Sequence, residues 1–356
     1  MDLKIEPSAI LDMFLQPAFY VENGTVVEAN QAALLRQITI GADVSAHLIS
    51  GQQAYTEFTD GFLSLSMRIA DQSYIASITP FHNGQLIRLH NESDTAESRV
   101  LALAAQNLSK PLTSILHATE NLFSSDALKG AKGVSDLSGS INHGLYQILR
   151  IIKNMEFSSC GPAFVNFETV NIVSVLRELL QKTTCATEQS GKKLCWHLPE
   201  TQLFCLADIA QLERAVFNLL SNAFKFSPAD SQIDVELKII NDHIQFTVRN
   251  ALDPSRSASL NNIFQRYLRE PGLDDSLNGI GLGMSIVQTV AAYHSGCLLL
   301  DKPDVQTLRA TLSMPVKNRE NGVLHSPLMV LDYSGGYDRT LVELSDVLPS
   351  DMYKTN

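Results

Sequence analysis

Asn218, Asn222 and Lys225 stand at i, i+4 and i+7 in the block Asn218-Leu-Leu-Ser-Asn222-Ala-Phe-Lys225-Phe226-Ser-Pro228. That spacing lines two amides and an ammonium group along one face of a helix. About sixty residues later, Asn278-Gly279-Ile-Gly281-Leu-Gly283-Met-Ser-Ile-Val287 is a glycine-rich turn feeding an apolar helix. Free backbone N–H groups and the helix dipole favour bound phosphate at such a place. Each block alone is weak, because a Gly-x-Gly-x-Gly run is commonly a tight turn and an Asn pair a polar or capping feature. Their order and spacing together read as an ATP site.

The elements that must position these residues alternate along the chain. Val170 to Thr184 reads as a helix, Leu194 to His197 and Leu203 to Ala207 as extended, and Ile209 to Phe226 as a helix. Ile233 to Ile240 and Ile244 to Arg249 follow as an antiparallel pair turning at Asn241-Asp242. Helices on one face of a mixed sheet are the expected α+β result. With these segments in place, the region from about Phe167 to Pro315 resembles the ATP-binding domain of sensor histidine kinases, which shares its fold with gyrase, Hsp90 and MutL. The resemblance implies ATP and Mg²⁺ as cofactors. Asn218 would hold the Mg²⁺ that bridges the phosphates, Asn222 would sit beside it, Lys225 would neutralise a phosphate and Phe226 would close over the nucleotide. Ile263-Phe264-Gln265-Arg266-Tyr267-Leu268-Arg269 matches the family's phenylalanine-containing box, which brings Arg269 to the site. Gly279, Gly281 and Gly283 match its last glycine box. Gln288 to Gly296 follows the family's next helix into a strand, and His294 there reads as structural rather than catalytic.

Two positions depart from the family pattern. The family has Asp-x-Gly-x-Gly after the strand that here runs Phe246-Thr-Val-Arg249-Asn250-Ala-Leu-Asp253-Pro254, so Asn250 stands in for the carboxylate that accepts from the adenine amino group. A neutral hydrogen bond nets about 0.5 to 1.5 kcal/mol against about 1.5 to 3 for a charged one, which predicts weaker adenine binding or relaxed purine choice. The larger departure is upstream. Gln106-Asn107-Leu108-Ser109-Lys110-Pro111-Leu112-Thr113 resembles the histidine box, with Pro111-Leu112-Thr113 setting the register. Gln106 then occupies the phosphoacceptor position and Asn107 that of the general base, so both reactive groups are missing. His117 lies eleven residues on, about 16 Å along a helix, and His143 on the second helix has no neighbouring carboxylate; both read as helix-surface residues.

That box sits in a helical pattern. Val100, Ala104, Leu108, Leu112, Ile115, Leu116 and Leu122 recur at three and four, and after a Gly/Ser/Asp-containing link Ile141, Leu145, Ile148, Ile152 and Met155 do the same. A lone hairpin cannot bury both seams, so pairing with a second copy into a four-helix bundle is expected. Upstream, residues 1–92 read as an α+β module with a short helix at Ile10 to Phe14 and a hairpin turning at Asn23-Gly24. Strands are expected at Gly61 to Ile69, Ser73 to Pro80 and Gln85 to His90. The module resembles a PAS sensor domain, with Ala29-Asn30-Gln31-Ala32-Ala33 where that family has its Asn-x-Ala-Ala turn.

The division is therefore 1–92 PAS-like, 93–158 dimerisation hairpin, 165–316 ATP-binding domain of α/β-sandwich type and 317–356 tail, an α+β multidomain chain. A length of 356 residues suits several domains. A net charge of −11 argues against a nucleic-acid or anionic-lipid surface. No apolar run of membrane-spanning length and no leader is read, which predicts a cytoplasmic protein. Cys160, Cys185, Cys195, Cys205 and Cys297 have no metal-ligand spacing and read as small buried hydrophobes. The tail's Leu341 to Leu348 is amphipathic, with docking on the same chain as the simpler reading. The leading functional expectation is a dimeric, ATP-binding signalling protein with weak or no autophosphorylation, with a response regulator or a partner kinase as further partners. Two alternatives stay open: an active kinase using another histidine or phosphorylating a partner, and a scaffold that binds no nucleotide.

Overall fold

The computed structural model describes residues 6–14, 16–91, 112, 116, 132–160, 165–252, 282–316 and 337–354. The first elements are α1 (Pro7–Leu11), β1 (Ala18–Glu22), β2 (Thr25–Ala29), α2 (Gln31–Leu35), a 3-10 turn (Val44–His47), α3 (Gln52–Glu57), β3 (Phe62–Ile69), β4 (Gln72–Phe81) and β5 (Gly84–Asn91). The first helix lies three residues earlier than the apolar run Ile10 to Phe14 suggested, because Pro7 occupies its first turn, where a missing N–H costs nothing. Asn23 and Gly24 both take positive φ, 49° and 79°, as the two-residue hairpin requires. The β3–β4 hairpin uses the same conformation at Ala70 and Asp71; Asp suits it but Ala does not, so the register also rests on the strands' inward-facing side chains.

Asn30 is the keystone of this segment. It caps α2 by accepting from Ala33 N at 2.9 Å, accepts from Ala18 N at 3.1 Å, and donates through Nδ2 to the carbonyls of Leu11, Phe14 and Gln16. Replacing it with Ala removes a helix cap and orphans a buried strand N–H, which is expected to cost about 2 to 4 kcal/mol. Hydrogen exchange of β1 and β2 in urea measures this; an unchanged opening free energy would contradict it.

Next come α4 (Lys132–Cys160), β6 (Glu168–Asn171), α5 (Ile172–Thr187), β7 (Lys193–His197), β8 (Phe204–Ala207), α6 (Ile209–Phe226), β9 (Gln232–Ile240) and β10 (His243–Ala251). The last are α7 (Leu282–Tyr293), β11 (Cys297–Asp304), β12 (Thr307–Pro315), α8 (Arg339–Glu343) and a 3-10 turn (Ser350–Tyr353). Val170 belongs to a strand and not to the following helix: it pairs with Cys205, and Asn171 spends its amide oxygen on Leu203 N. The 18 residues of α6 begin where Asp208 accepts from Gln211 N and end at Ser227-Pro228, where proline bars continuation.

The chain forms two compact units. One comprises Met1–Asp94, Ile239–Thr247 and Gln288–Pro315; the other comprises Thr95–Lys238, Val248–Val287 and Val316–Asn356. In the first, strands run in the order β2-β1-β5-β4-β3-β11-β12-β10, with β3 and β11 antiparallel through Leu298↔Ser64, Leu299↔Leu63 and Leu300↔Phe62. Ser50 Oγ donates to Gly296 O at 3.1 Å. Gly61, at φ 95°, is required there, since a Cβ would fall 2.1 Å from Leu300 O. Cys297 joins the core of Phe19, Val21, Leu63, Leu65, Met67, Ile78 and Ile87.

The second unit holds α4, the β6–β8 pair, the parallel β7–β9 pair, and α5 and α6. Along α4, Leu149, Ile152 and Phe157 are buried, whereas Ile141, Ile148 and Ile151 are 39%, 47% and 36% exposed. Of the preceding helical segment, Leu112 and Leu116 are described; both are helical and buried. Cys205 and Cys297 are buried as expected, but Cys185 is exposed and Cys195 half-buried. No described helix is long and apolar enough to cross a membrane.

Candidate functional site

The two blocks meet in the second unit. Asn218 lies in the middle of α6 and is 1% exposed, its Nδ2 donating back to Arg214 O at 2.9 Å. Its Oδ1 sits 2.7 Å from where a Cβ on Gly283 would be, so only glycine admits the amide against the first turn of α7. The first backbone N–H groups of a helix have no partner within it. The Asn218 amide oxygen therefore meets the N-terminal turn of α7, a place where an oxygen ligand and backbone N–H groups can serve a metal-bound phosphate chain.

Asn222 and Lys225 are half-buried at one and two further turns on α6, and the Lys225 ammonium lies 5.9 Å from the Phe226 ring centroid. Lys192 Nζ donates to Phe224 O and so holds the last turn of the helix, where a cation suits the dipole. Arg214, one turn before Asn218, places its guanidinium 4.8 Å from the Phe157 ring of α4. Sequence reasoning missed this contact, because nothing local marks an aromatic partner that lies far away in the chain.

Asn250, near the end of β10, is 5% exposed and donates through Nδ2 to Ala251 O at 2.9 Å. Among the described residues its amide oxygen accepts nothing, which leaves it available to a ligand's amino group. Arg269, Gly279 and Gly281 lie outside the described residues, as do Gln106, Asn107, His117 and the segment from Ile263 to Leu268. Among the described residues no group of His, Cys, Asp and Glu could hold a metal by itself, so a cation here would depend on Asn218 together with ligand oxygens.

Two of the described histidines bear on the sequence expectations. His294 is buried, with Nδ1 2.8 Å from Val290 O, as a packing residue would be. His143 corrects the expectation of a helix-surface residue: Nε2 lies 2.6 Å from Ser345 O, and the ring stacks on Tyr353 at 4.8 Å between centroids. The C-terminal segment that meets it lies too far along the chain for local pattern to show the contact.

Residues 207–318 match the family model of histidine kinase-, DNA gyrase B- and HSP90-like ATPases. The sensor histidine kinase CusS of Escherichia coli O6:H1 is 24% identical over 225 residues, which cover 62% of this chain and 46% of that protein. QseC, a sensor protein of Salmonella typhi, is 29% identical over 204 residues, 56% of this chain and 43% of that one. A bacteriophytochrome of Pseudomonas aeruginosa is 27% identical over 235 residues, 65% and 31% respectively. The chain thus spans less than half the length of these relatives. Among solved structures, full-length ShkA in complex with AMPPNP is similar over 61% of this chain and 46% of that one, with TM-score 0.46 and 20% identity. Residues 207–318, which include both the asparagine helix and the glycine turn, thus carry an ATPase domain of the histidine kinase, gyrase B and HSP90 type, and over a larger part of its length the chain is similar to sensor histidine kinases.

Proposed function

We propose that the chain is an ATP-binding signalling protein of two-component type whose own phosphoacceptor chemistry has been lost. The observation that carries the nucleotide assignment is the 2.7 Å approach of Asn218 Oδ1 to the Cβ position of Gly283, which joins the asparagine helix to the glycine turn. Asn218 would hold Mg²⁺ through its amide oxygen, Lys225 would neutralise a phosphate, Asn222 would sit beside them and Phe226 would flank the nucleotide. Asn250 accepts from the adenine amino group. Arg269, Gly279 and Gly281 complete the phosphate side by resemblance. Bound Mg²⁺ would supply neutralisation of the phosphate charge.

The remaining parts are read around that site. Residues 1–92 act as a PAS-like input module, a reading supported by the antiparallel order β2-β1-β5-β4-β3 and by Asn30 at the turn before α2. Residues 93–158 form a dimerisation hairpin. Support comes from Ile141 and Ile148 of the expected seam, which stay open in a single chain, whereas Ile152 of that seam is buried. Input state or nucleotide occupancy then alters helix packing, and the change is read by a response regulator or a partner kinase.

Isothermal titration with Mg-ATP tests the core of this reading, and an absence of heat at millimolar nucleotide would overturn it. Asn250→Asp provides the finer check. Replacing a neutral acceptor with a charged one should tighten ATP binding by about three- to tenfold, a gain of about 1 kcal/mol, with a smaller gain for GTP. Equal affinity in both proteins would place the adenine elsewhere.

A further inference from the structure

The C-terminal segment is bound to the same unit that carries the nucleotide helix, and it is bound on two sides. From Tyr337 it forms α8, capped by Asp338 accepting from Leu341 N, and ends in the 3-10 turn at Tyr353. Val342, Leu344, Leu348 and Tyr353 are all buried. On α4, Asn142 Nδ2 donates to Tyr353 O at 3.0 Å, and His143 Nε2 and Gln147 Nε2 both reach Ser345 O. Arg150 pairs with Asp346 at 2.6 Å and with Glu343 at 3.7 Å. On α6 the charges are reversed: Arg339 of the segment pairs with Glu213. Burial raises the Glu213 pKa, and the attraction of Arg339 pulls it back.

These contacts explain an otherwise odd stripe on α4. Ser138 and Asn142 are buried and polar, and Gly139 interrupts a helix where Ala would be preferred. A Cβ on Gly139 would fall 2.8 Å from Ser350 O and 2.9 Å from Lys354 Cγ. The glycine is therefore the space into which the segment seats. A helix of five residues has little stability by itself, so α8 owes its form to this surface.

We propose that this stripe of α4 is a docking surface for the chain's own residues 337–354, which act as a latch. Closed, the latch ties α4 to α6, the helix of Asn218, and covers His143. The opposite charges on its two sides, Glu343 and Asp346 toward Arg150 and Arg339 toward Glu213, set its register. Release separates the two helices' common tether and exposes the His143 imidazole, independently of nucleotide.

The test uses the full chain without nucleotide and reads carbethoxylation of His143 by diethyl pyrocarbonate, mapped by peptide mass spectrometry. Hydrogen exchange of residues 337–354 is followed in parallel. Gly139→Leu blocks the seat while favouring helix, and Arg339→Glu repels Glu213. Each should raise His143 modification at least tenfold and deprotect the segment, and the swap Arg339→Glu with Glu213→Arg should restore protection. Unchanged modification in both single variants, or failure of the swap to restore it, overturns the latch. So does global unfolding of both variants, seen as loss of exchange protection throughout α6, since the segment would then be core and not a latch. A docked segment supplied by a second copy would show as exchange between differently labelled chains, and that result would overturn docking within one chain.

Discussion

Asn218→Ala should weaken Mg-ATP binding by roughly a hundredfold, about 3 kcal/mol, while leaving the protein folded. The expected loss is that of an oxygen aimed at a metal-bound phosphate, an interaction of the charged class. The structural cost is smaller. Among the described residues the Asn218 side chain makes one hydrogen bond, from Nδ2 to Arg214 O, a carbonyl that can also bond along the helix. Truncation also leaves a small buried space, worth a few °C in melting temperature for a domain of this size. Asn222→Ala is the internal control. That side chain is half-buried, and its loss should cost at most about tenfold. Titration calorimetry alongside thermal unfolding separates the two effects. Equal nucleotide affinity in Asn218→Ala and the parent chain would remove the metal role from this residue.

What could be read in advance follows from how local each signal is. The bounds of α6 were legible because Asp208 and Pro228 mark its ends chemically and its buried stripe repeats at 3.6. The hairpins at Asn23-Gly24 and Asn241-Asp242 were legible for the same reason, since their positive φ values select those residue types. The pairing of β3 with β11 had no such signal. Edge strands pair through backbone groups that every residue carries, and Ser64 opposite Leu298 looks like any other strand pair. The Val170 boundary was missed because a β-branched apolar residue fits the start of an amphipathic helix as well as a two-stranded pair. In the site, residue types identified Asn218 and Gly283 separately, but only the fold shows that one glycine hydrogen stands where the amide oxygen must pass. His143 was misplaced because an exposed-looking position on α4 is covered by residues some two hundred positions away.

On the proposed function, Gln106→His combined with Asn107→Glu should give a chain that takes up acid-labile phosphate where the parent takes up none. In the parent, the position registered by Pro111-Leu112-Thr113 offers a carboxamide, whose nitrogen lone pair is delocalised and does not attack phosphorus. Imidazole restores a nucleophile, and the adjacent carboxylate restores a base that general catalysis values at about 10² to 10⁴ in rate. The single variants therefore separate the roles: Gln106→His alone should label slowly, and Asn107→Glu alone should stay silent. γ-labelled ATP followed by acid and base treatment distinguishes phosphohistidine from phosphoester. If the parent chain itself acquires acid-labile label that His143→Ala removes, then the lost acceptor has been replaced and the chain is an active kinase. Attack through Nε2 would also require His143 to leave Ser345 O, which lies 2.6 Å from that nitrogen, whereas Nδ1 would keep its lone pair in the tautomer that donates there. Restored labelling in the double variant, with His143 still protected from modification, would place all the missing chemistry at residues 106 and 107 and none in the nucleotide site.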